Sequence, residues 1–380
     1  MIVISACIVL SILYLSTTVF LFRGLRSIGA AGTPHGHTFS VIIAARNEEK
    51  NIEAYLASVL NQTIGHDRFE VILVNDRSTD RTAAIAQATA KSFSNLTVLS
   101  VAETQQGVSP KKYAVLQGIK AAGHDVIVFT DADCRVPAAW LETMDRHFGP
   151  DIGFVQGITS YEYVPGMSRL LFGLQALDFC SHAIVSAAAI GAGLPINSNA
   201  NNCAFRKKAF DDAAGYGADA AVVSGDDDML LQRIWKKTAW RIRYMADASG
   251  AVQTFPSPTL SRVFEQRKRW GSKTVHYGKR QIALLSGVFA FYCAIVILFC
   301  IGIFRPLACA AAAGMMLVKI AGEAVLMVPG TRIMGQKTLI KYLVPGSLIQ
   351  LPIVIFAVAL GVFGRFAWKD QTFSRKAGKR

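Results

Sequence analysis

Hydrophobic and polar positions change period along this chain. Residues 1–22 form an almost uncharged apolar stretch. At about 1.5 Å per helical residue, its length suits a bilayer core of roughly 30 Å. Further apolar stretches run at 283–304, 306–328 and 343–363. Between 39 and 280 the pattern is globular: short runs rich in Val and Ile alternate with segments whose apolar residues recur at helical spacing. The spacing predicts strands over Phe39–Ala44, Phe69–Val74, Leu96–Val101 and Val126–Thr130, and helices over Glu48–Leu60, Thr79–Phe93 and Lys111–Ala122. Such alternation predicts an α/β fold with a parallel, doubly wound sheet, which binds ligands at the carboxyl ends of its strands. Residues 166–193 are apolar and rich in small residues, interrupted by Arg169, Asp178 and His182. They read either as a buried helix or as one lying at a membrane interface, with Asp178 and His182 spaced to pair on one face.

Composition sharpens this picture. Of 380 residues, 52% are hydrophobic and only 17% charged, more apolar than a soluble domain requires. The first stretch lacks a basic segment ahead of it, and Arg23 and Arg26 follow it, so it reads as an uncleaved anchor rather than a signal peptide. The formal net charge of +14 gathers beside the apolar stretches, at Arg23 and Arg26, at Arg262 to Arg280 and at Arg332 to Lys341. That is the positive-inside pattern: it accounts for the charge without nucleic acid, and it places residues 39–280 on the cytoplasmic side of the cell's inner membrane. The seven cysteines show no zinc-site or disulfide spacing. The expected organisation is an anchor at 1–22, a globular domain at 39–280, a membrane region at 283–363 and a basic tail at 364–380. If all four stretches crossed, that tail would end outside, so 306–328 is the expected re-entrant or interfacial segment. Within it, Lys319 and Glu323 are spaced for an internal ion pair.

The candidate chemistry sits at strand ends. Arg46-Asn47-Glu48-Glu49 follows the first strand, Asn75-Asp76-Arg77-Ser78 the second and Asp131-Ala132-Asp133 the fourth. Asn47 and Ser78 taken singly could each cap the helix that follows. Without a glycine-rich loop after the first strand, bound phosphates need a metal, which paired carboxylates can hold. Further on, Ser224 and Asp227 have capping-box spacing ahead of a helical run from Met229 to Lys237. Three consecutive aspartates, Asp226 to Asp228, exceed what capping needs. Their repulsion would favour a general base, while the helix dipole opposes it. Last, Gln266, Arg269 and Trp270 share a helical face, presenting an amide, a guanidinium and an aromatic plane suited to a sugar ring and a phosphate.

In this order, these clusters resemble the family 2 glycosyltransferases, over roughly 39–280. The Gly225-Asp226-Asp227 form, the Asp131–Pro137 run and the apolar stretches after the catalytic part resemble that family's membrane-bound subset. The resemblance implies a GT-A fold and an inverting transfer from a nucleotide-diphosphate sugar, a UDP-sugar foremost. It implies that Asp76 contacts the nucleobase, Asp131 the nucleotide, and that Asp133 binds a divalent cation, Mg²⁺ or Mn²⁺. Gln266, Arg269 and Trp270 would hold donor and acceptor, and Glu48 and Lys111 would add nucleotide contacts. Aligned on the helix start, the base is Asp227, with Asp226 beside it. Membrane segments suggest an acceptor that lives in the bilayer, such as a glycerolipid, sphingolipid, polyprenyl phosphate or pigment. A processive polysaccharide synthase is one alternative, and a membrane transporter or scaffold with a nucleotide-sensing domain is another.

Overall fold

The computed structural model describes residues 2–222, 225–272, 277–363, 365–368 and 371–374. Ser224 and most of the basic tail therefore lie outside the described residues. In chain order the elements begin with α1 (Ile2–Arg26), β1 (Phe39–Ala45), α2 (Ile52–Leu60), β2 (Phe69–Asp76), α3 (Thr82–Ala90) and β3 (Leu96–Val101). Next come α4 (Pro110–Ala121), β4 (Val126–Phe129), α5 (Trp140–Asp145), β5 (Ile152–Gly157), β6 (Thr159–Tyr161) and α6 (Arg169–Gly191). They continue with β7 (Cys203–Arg206), α7 (Lys207–Asp212), α8 (Asp228–Lys237), β8 (Arg241–Met245), β9 (Val252–Thr254) and α9 (Leu260–Ser272). The chain closes with α10 (Lys279–Gly302), α11 (Pro306–Ile333), α12 (Leu343–Phe363) and the hairpin β10 (Arg365–Trp368) and β11 (Gln371–Ser374). Two compact units result: a sheet unit of residues 28–164 and 193–255, and a helical unit of the remaining described residues.

The sheet unit is built on seven strands in the order β3-β2-β1-β4-β7-β5-β8. The first four strands are parallel, with Phe39 to Ala45 of β1 beside Phe69 to Asn75 of β2 in continuous register. Alternate β1 side chains feed two cores: Val41 and Ile43 pack with Tyr55, Leu56 and Trp140, while Ile42 packs with Val115, Ile119 and Leu231. Helices thus cover both sheet faces, as near-continuous Val/Ile runs require. The second half departs from the expected parallel pattern. Strand β7 pairs antiparallel with both β4 and β5, so the sheet is mixed.

In the helical unit, α1, α6, α10, α11 and the segment Lys337–Gly361 are each long and apolar enough to cross a membrane. The sequence suggested four such stretches; α6 adds a fifth. Pro306 opens α11 at its first turn, where a missing N–H costs nothing, and the helix then runs unbroken for 28 residues. Lys319 and Glu323 do form the internal ion pair, and Lys319 also donates to Gln350 Oε1 at 3.0 Å and to the Ser347 carbonyl at 3.1 Å. Helices α1 and α6 approach closely at glycine: a Cβ on Gly24 would lie 2.0 Å from the Ala188 carbonyl oxygen. Asp178 and His182 do not pair through their side chains. The His182 ring donates from Nδ1 to the Asp178 carbonyl at 2.8 Å, and the Asp178 carboxylate turns to Arg267 instead.

Candidate active site

The loops after β1 and β2 are tied to each other rather than spent on capping their own helices. Ser78 Oγ accepts from Asn47 N at 3.1 Å, and Asn47 Oδ1 accepts from Thr79 N at 2.9 Å. The cap positions fall on Asn51 and Arg81 instead. Glu48 N donates to Thr82 Oγ1 at 2.8 Å, while the Glu48 carboxylate accepts from Asn51 Nδ2 at 2.9 Å. Asn47 and Arg77 both adopt left-handed backbone, with φ of 54° and 55°. Asn tolerates this conformation, but for a long side chain such as Arg77 it is unusual and is held by the surrounding contacts. The buried Asp76 carboxylate, at the end of β2, accepts from Arg77 Nε at 2.8 Å.

After β4 the chain turns sharply, with Cys134 N donating to the Asp131 carbonyl at 3.1 Å. Arg135 then exchanges backbone hydrogen bonds with Gln253, which clamps the far side of the turn. Asp131 and Asp133 are both half-buried there. Burial, with the Asp133 and Asp131 charges adding to it, pushes the Cys134 thiol well above its ordinary value, so it stays protonated.

Lys111 joins two of the clusters. Its ammonium lies 3.0 Å from Asp131 Oδ1 and 2.9 Å from Asp226 Oδ2. Residues far apart in sequence thereby meet at one cation at the start of α4, where Ser109 caps the helix and Pro110 opens it. Burial alone would lower the Lys111 pKa, but the two carboxylates outweigh it and hold the ammonium above its ordinary value. For Asp226, burial pushes the pKa up. The Lys111 charge and hydrogen bond, with Lys112 behind them, overcome that and hold it below the usual carboxylate range. Asp228 is fully buried and accepts the Ser198 N–H. Asp227 occupies the N-cap position of α8 without a capping hydrogen bond from its side chain.

Lys112 was not singled out from the sequence. It is buried on α4, donates to the Asp219 carbonyl at 2.7 Å and stands 5.4 Å from the centre of the Tyr216 ring. With Ser109 N donating to the Ala220 carbonyl at 2.9 Å, it fastens the segment that leads into the aspartates. Its position beside Lys111 at a helix start was a visible signal, but its burial was not.

Gln266, Arg269 and Trp270 stand on α9, in the helical unit. Trp270 packs against α6, with its ring centroid 5.2 Å from that of His182 and 6.3 Å from that of Phe179. The residue missed here is Arg267, which is buried between Asp178 and the Trp270 ring. Its i, i+3 spacing to Trp270 was the available signal.

The donor set can be tested for a metal. No group of three or more His, Cys, Asp or Glu side chains able to hold one occurs among the described residues. Asp133 and Asp131 offer hard carboxylate oxygens, and the neighbouring thiol is protonated. That set suits Mg²⁺ or Mn²⁺ completed by substrate phosphate oxygens, and does not suit zinc in an all-protein cage.

Comparison with known proteins identifies the class. The chain matches the family model for glycosyl transferase family 2 over residues 40–166 and that for glycosyl transferase family group 2 over residues 126–325. The second match takes in more than half of the chain, which belongs to this family. Among particular relatives, glycosyltransferase AglE of Haloferax volcanii is 33% identical over 129 residues, which is 33% of this chain and 41% of that protein. The 4,4'-diaponeurosporenoate glycosyltransferase of Staphylococcus haemolyticus is 38% identical over 99 residues, 26% of this chain and 25% of that protein. These matches span less than half the length of either relative. The fold is that of the mannosyltransferase PcManGT from Pyrobaculum calidifontis, solved with GDP-Man and Mn²⁺. That likeness has a TM-score of 0.56 and 18% identity over 92% of this chain and 99% of the other.

Proposed function

We propose that this protein is an inverting, membrane-bound glycosyltransferase that moves a sugar from a nucleotide-diphosphate donor to a hydrophobic, lipid-like acceptor. The observation that carries the reading is the Lys111 bridge, which brings the strand-end aspartate Asp131 and the aspartate run beginning at Asp226 to one point. A donor site and a base must lie close together for an in-line displacement. Asp76 is assigned to the nucleobase, with Glu48, Lys111 and Asp131 on the nucleotide, and Gln266, Arg269 and Trp270 on donor and acceptor.

Asp227 is assigned as the base. The ground is its place at the start of α8, where alignment with the family puts the base; Asp226 is paired with Lys111, Asp228 is fully buried on the Ser198 backbone, and Asp227 is itself buried, at 6% exposure. Asp227 takes the proton of the acceptor hydroxyl as its oxygen attacks the anomeric carbon. The bond to the diphosphate oxygen breaks, the nucleoside diphosphate leaves, and one displacement inverts the centre. A divalent cation held by Asp133 would neutralise charge on the departing diphosphate. No second carboxylate is needed as nucleophile, unlike in retaining glycosidases.

The five apolar helices support membrane residence, and the basic residues beside them favour a cytoplasmic catalytic side of the inner membrane. They also support an acceptor drawn from the bilayer, in keeping with relatives named for 4,4'-diaponeurosporenoate. A UDP-sugar is the first donor to test, with GDP-Man next, since a protein of similar fold binds it with Mn²⁺.

The test is a panel of nucleotide sugars given to the purified full chain with Mg²⁺ or Mn²⁺ and a membrane lipid extract, with products read by mass spectrometry and NMR. An α-linked donor should give a β-linked product; a retained configuration would refute the displacement scheme. Asp227→Asn should bind donor normally and lose roughly 10²–10⁴ in kcat. Near wild-type turnover in that variant would move the base elsewhere.

A further inference from the structure

The α6–α9 contact contains a buried arrangement whose parts converge on Asp178. Arg267 is 7% exposed, far less than a surface arginine, and a buried guanidinium must be paired. Its Nη2 donates to the Asp178 carboxylate on α6, and its Nη1 donates to Gln266 Oε1 at 3.3 Å. The same guanidinium lies 4.1 Å from the centre of the Trp270 ring, well inside cation–π range. Trp270 also meets the His182 ring edge-on, at 5.2 Å between centroids. That imidazole is oriented by the Asp178 carbonyl, at 2.8 Å from His182 Nδ1. Asp178 therefore uses its carboxylate to place Arg267 and its carbonyl to place His182, and both side chains contact the indole.

We infer that Arg267, through its ion pair with Asp178, is the positioning residue for Trp270, fixing the indole plane that meets the sugar. This rests on the reading of Trp270 as a substrate contact given above. An indole has two side-chain torsions, and its packing on a sugar ring depends on the plane they set. A displacement of even an ångström lowers rate or affinity steeply. Arg267 is suited to the task because its flat, forked guanidinium can stack on the ring and grip a carboxylate together, which a lysine ammonium cannot do.

The experiment is a kinetic double-mutant cycle on the full-length protein in detergent. It compares Arg267→Met, Trp270→Ala and the two combined, with size-exclusion profiles checking that each folds. Each single change should lower kcat/KM by roughly tenfold to a hundredfold, with KM for the sugar donor rising. The combined variant should be no worse than Trp270→Ala alone, because Arg267 has nothing left to position. Arg267→Lys should recover only part of the loss, and Asp178→Asn should reproduce it in milder form; these two carry the test if Arg267→Met does not fold. Losses that simply multiply in the combined variant would show a general structural role and overturn the proposal. So would full activity in Arg267→Met when Trp270→Ala is impaired. Full activity in Trp270→Ala would instead remove the substrate reading of Trp270, and the positioning role with it.

Discussion

Replacing Lys111 with Met tests the bridge on which the site depends. The substitution keeps side-chain length and removes one positive charge from between Asp131 and Asp226, which lie at 3.0 Å and 2.9 Å from it. Removing one partner of a buried ion pair costs about 3–5 kcal/mol. Here the side chains of Lys111 and Asp131 are 21% and 33% exposed, so solvent screens part of that and about 2–4 kcal/mol is expected. An upper bound follows independently. Asp226 can escape as the neutral acid, and protonating a carboxylate of ordinary pKa at pH 7 costs about 4 kcal/mol. In a domain of this size such a loss lowers the thermal midpoint by roughly 5–15 °C. The deficit has a pH signature. In the variant, burial is no longer opposed by Lys111, so the folded state holds the Asp226 proton more tightly than the unfolded chain does. The deficit is therefore largest at neutral pH and shrinks towards pH 4. Transfer activity should fall by about 10²-fold, because the donor and base segments lose their common anchor, and Lys111→Arg should recover part of it. Thermal unfolding of the detergent-solubilised protein at several pH values, with kcat/KM from nucleotide-sugar transfer, measures both. If Lys111→Met unfolds at the wild-type temperature at neutral pH and keeps wild-type kcat/KM, the bridge is incidental and the reasoning fails.

Two further predictions concern charge. Asp133→Ala should abolish the Mg²⁺ or Mn²⁺ dependence of donor binding, measured by titration calorimetry with and without chelator, while leaving the thermal midpoint within a few degrees. His37 and His147 are both held below the ordinary histidine value of 6.5, chiefly by burial, which outweighs the Asp145 and Asp247 carboxylates beside them. The unfolded chain then binds more protons below about pH 6.5, so stability is full above that pH and declines as pH falls. A midpoint that drops between pH 7.5 and 5.5, with a shallower drop in His147→Asn, is the expected outcome of a thermal-shift series.

Legibility followed locality. The first four strands and the three helices between them could be read from Val- and Ile-rich runs such as Phe39–Ala45 and from apolar spacing, because each depends on residues near in sequence. The Ser109 cap and Pro110 at the first turn of α4 came from the structure, one residue ahead of the helix start expected at Lys111. Strand β7 was not legible: Cys203 to Arg206 is four residues long, and only its partners β4 and β5 make it a strand and set its direction. Residues 166–193 were legible as a helix, buried or interfacial, and the structure forms it over Arg169–Gly191, long and apolar enough to cross a membrane as well.

Taken alone, the amino-acid order determined the α/β alternation, the apolar ends and the type and sequence of the charged clusters. These are properties of short segments, set by side-chain period and chemistry. Tertiary structure decided which charges meet. It joined Asp131 to Asp226 through Lys111, tied Asn47 to Ser78 across two loops, and turned Asp178 from His182 to Arg267. A buried charge must find its counter-charge wherever folding places one, and that place is set by packing rather than by distance along the chain.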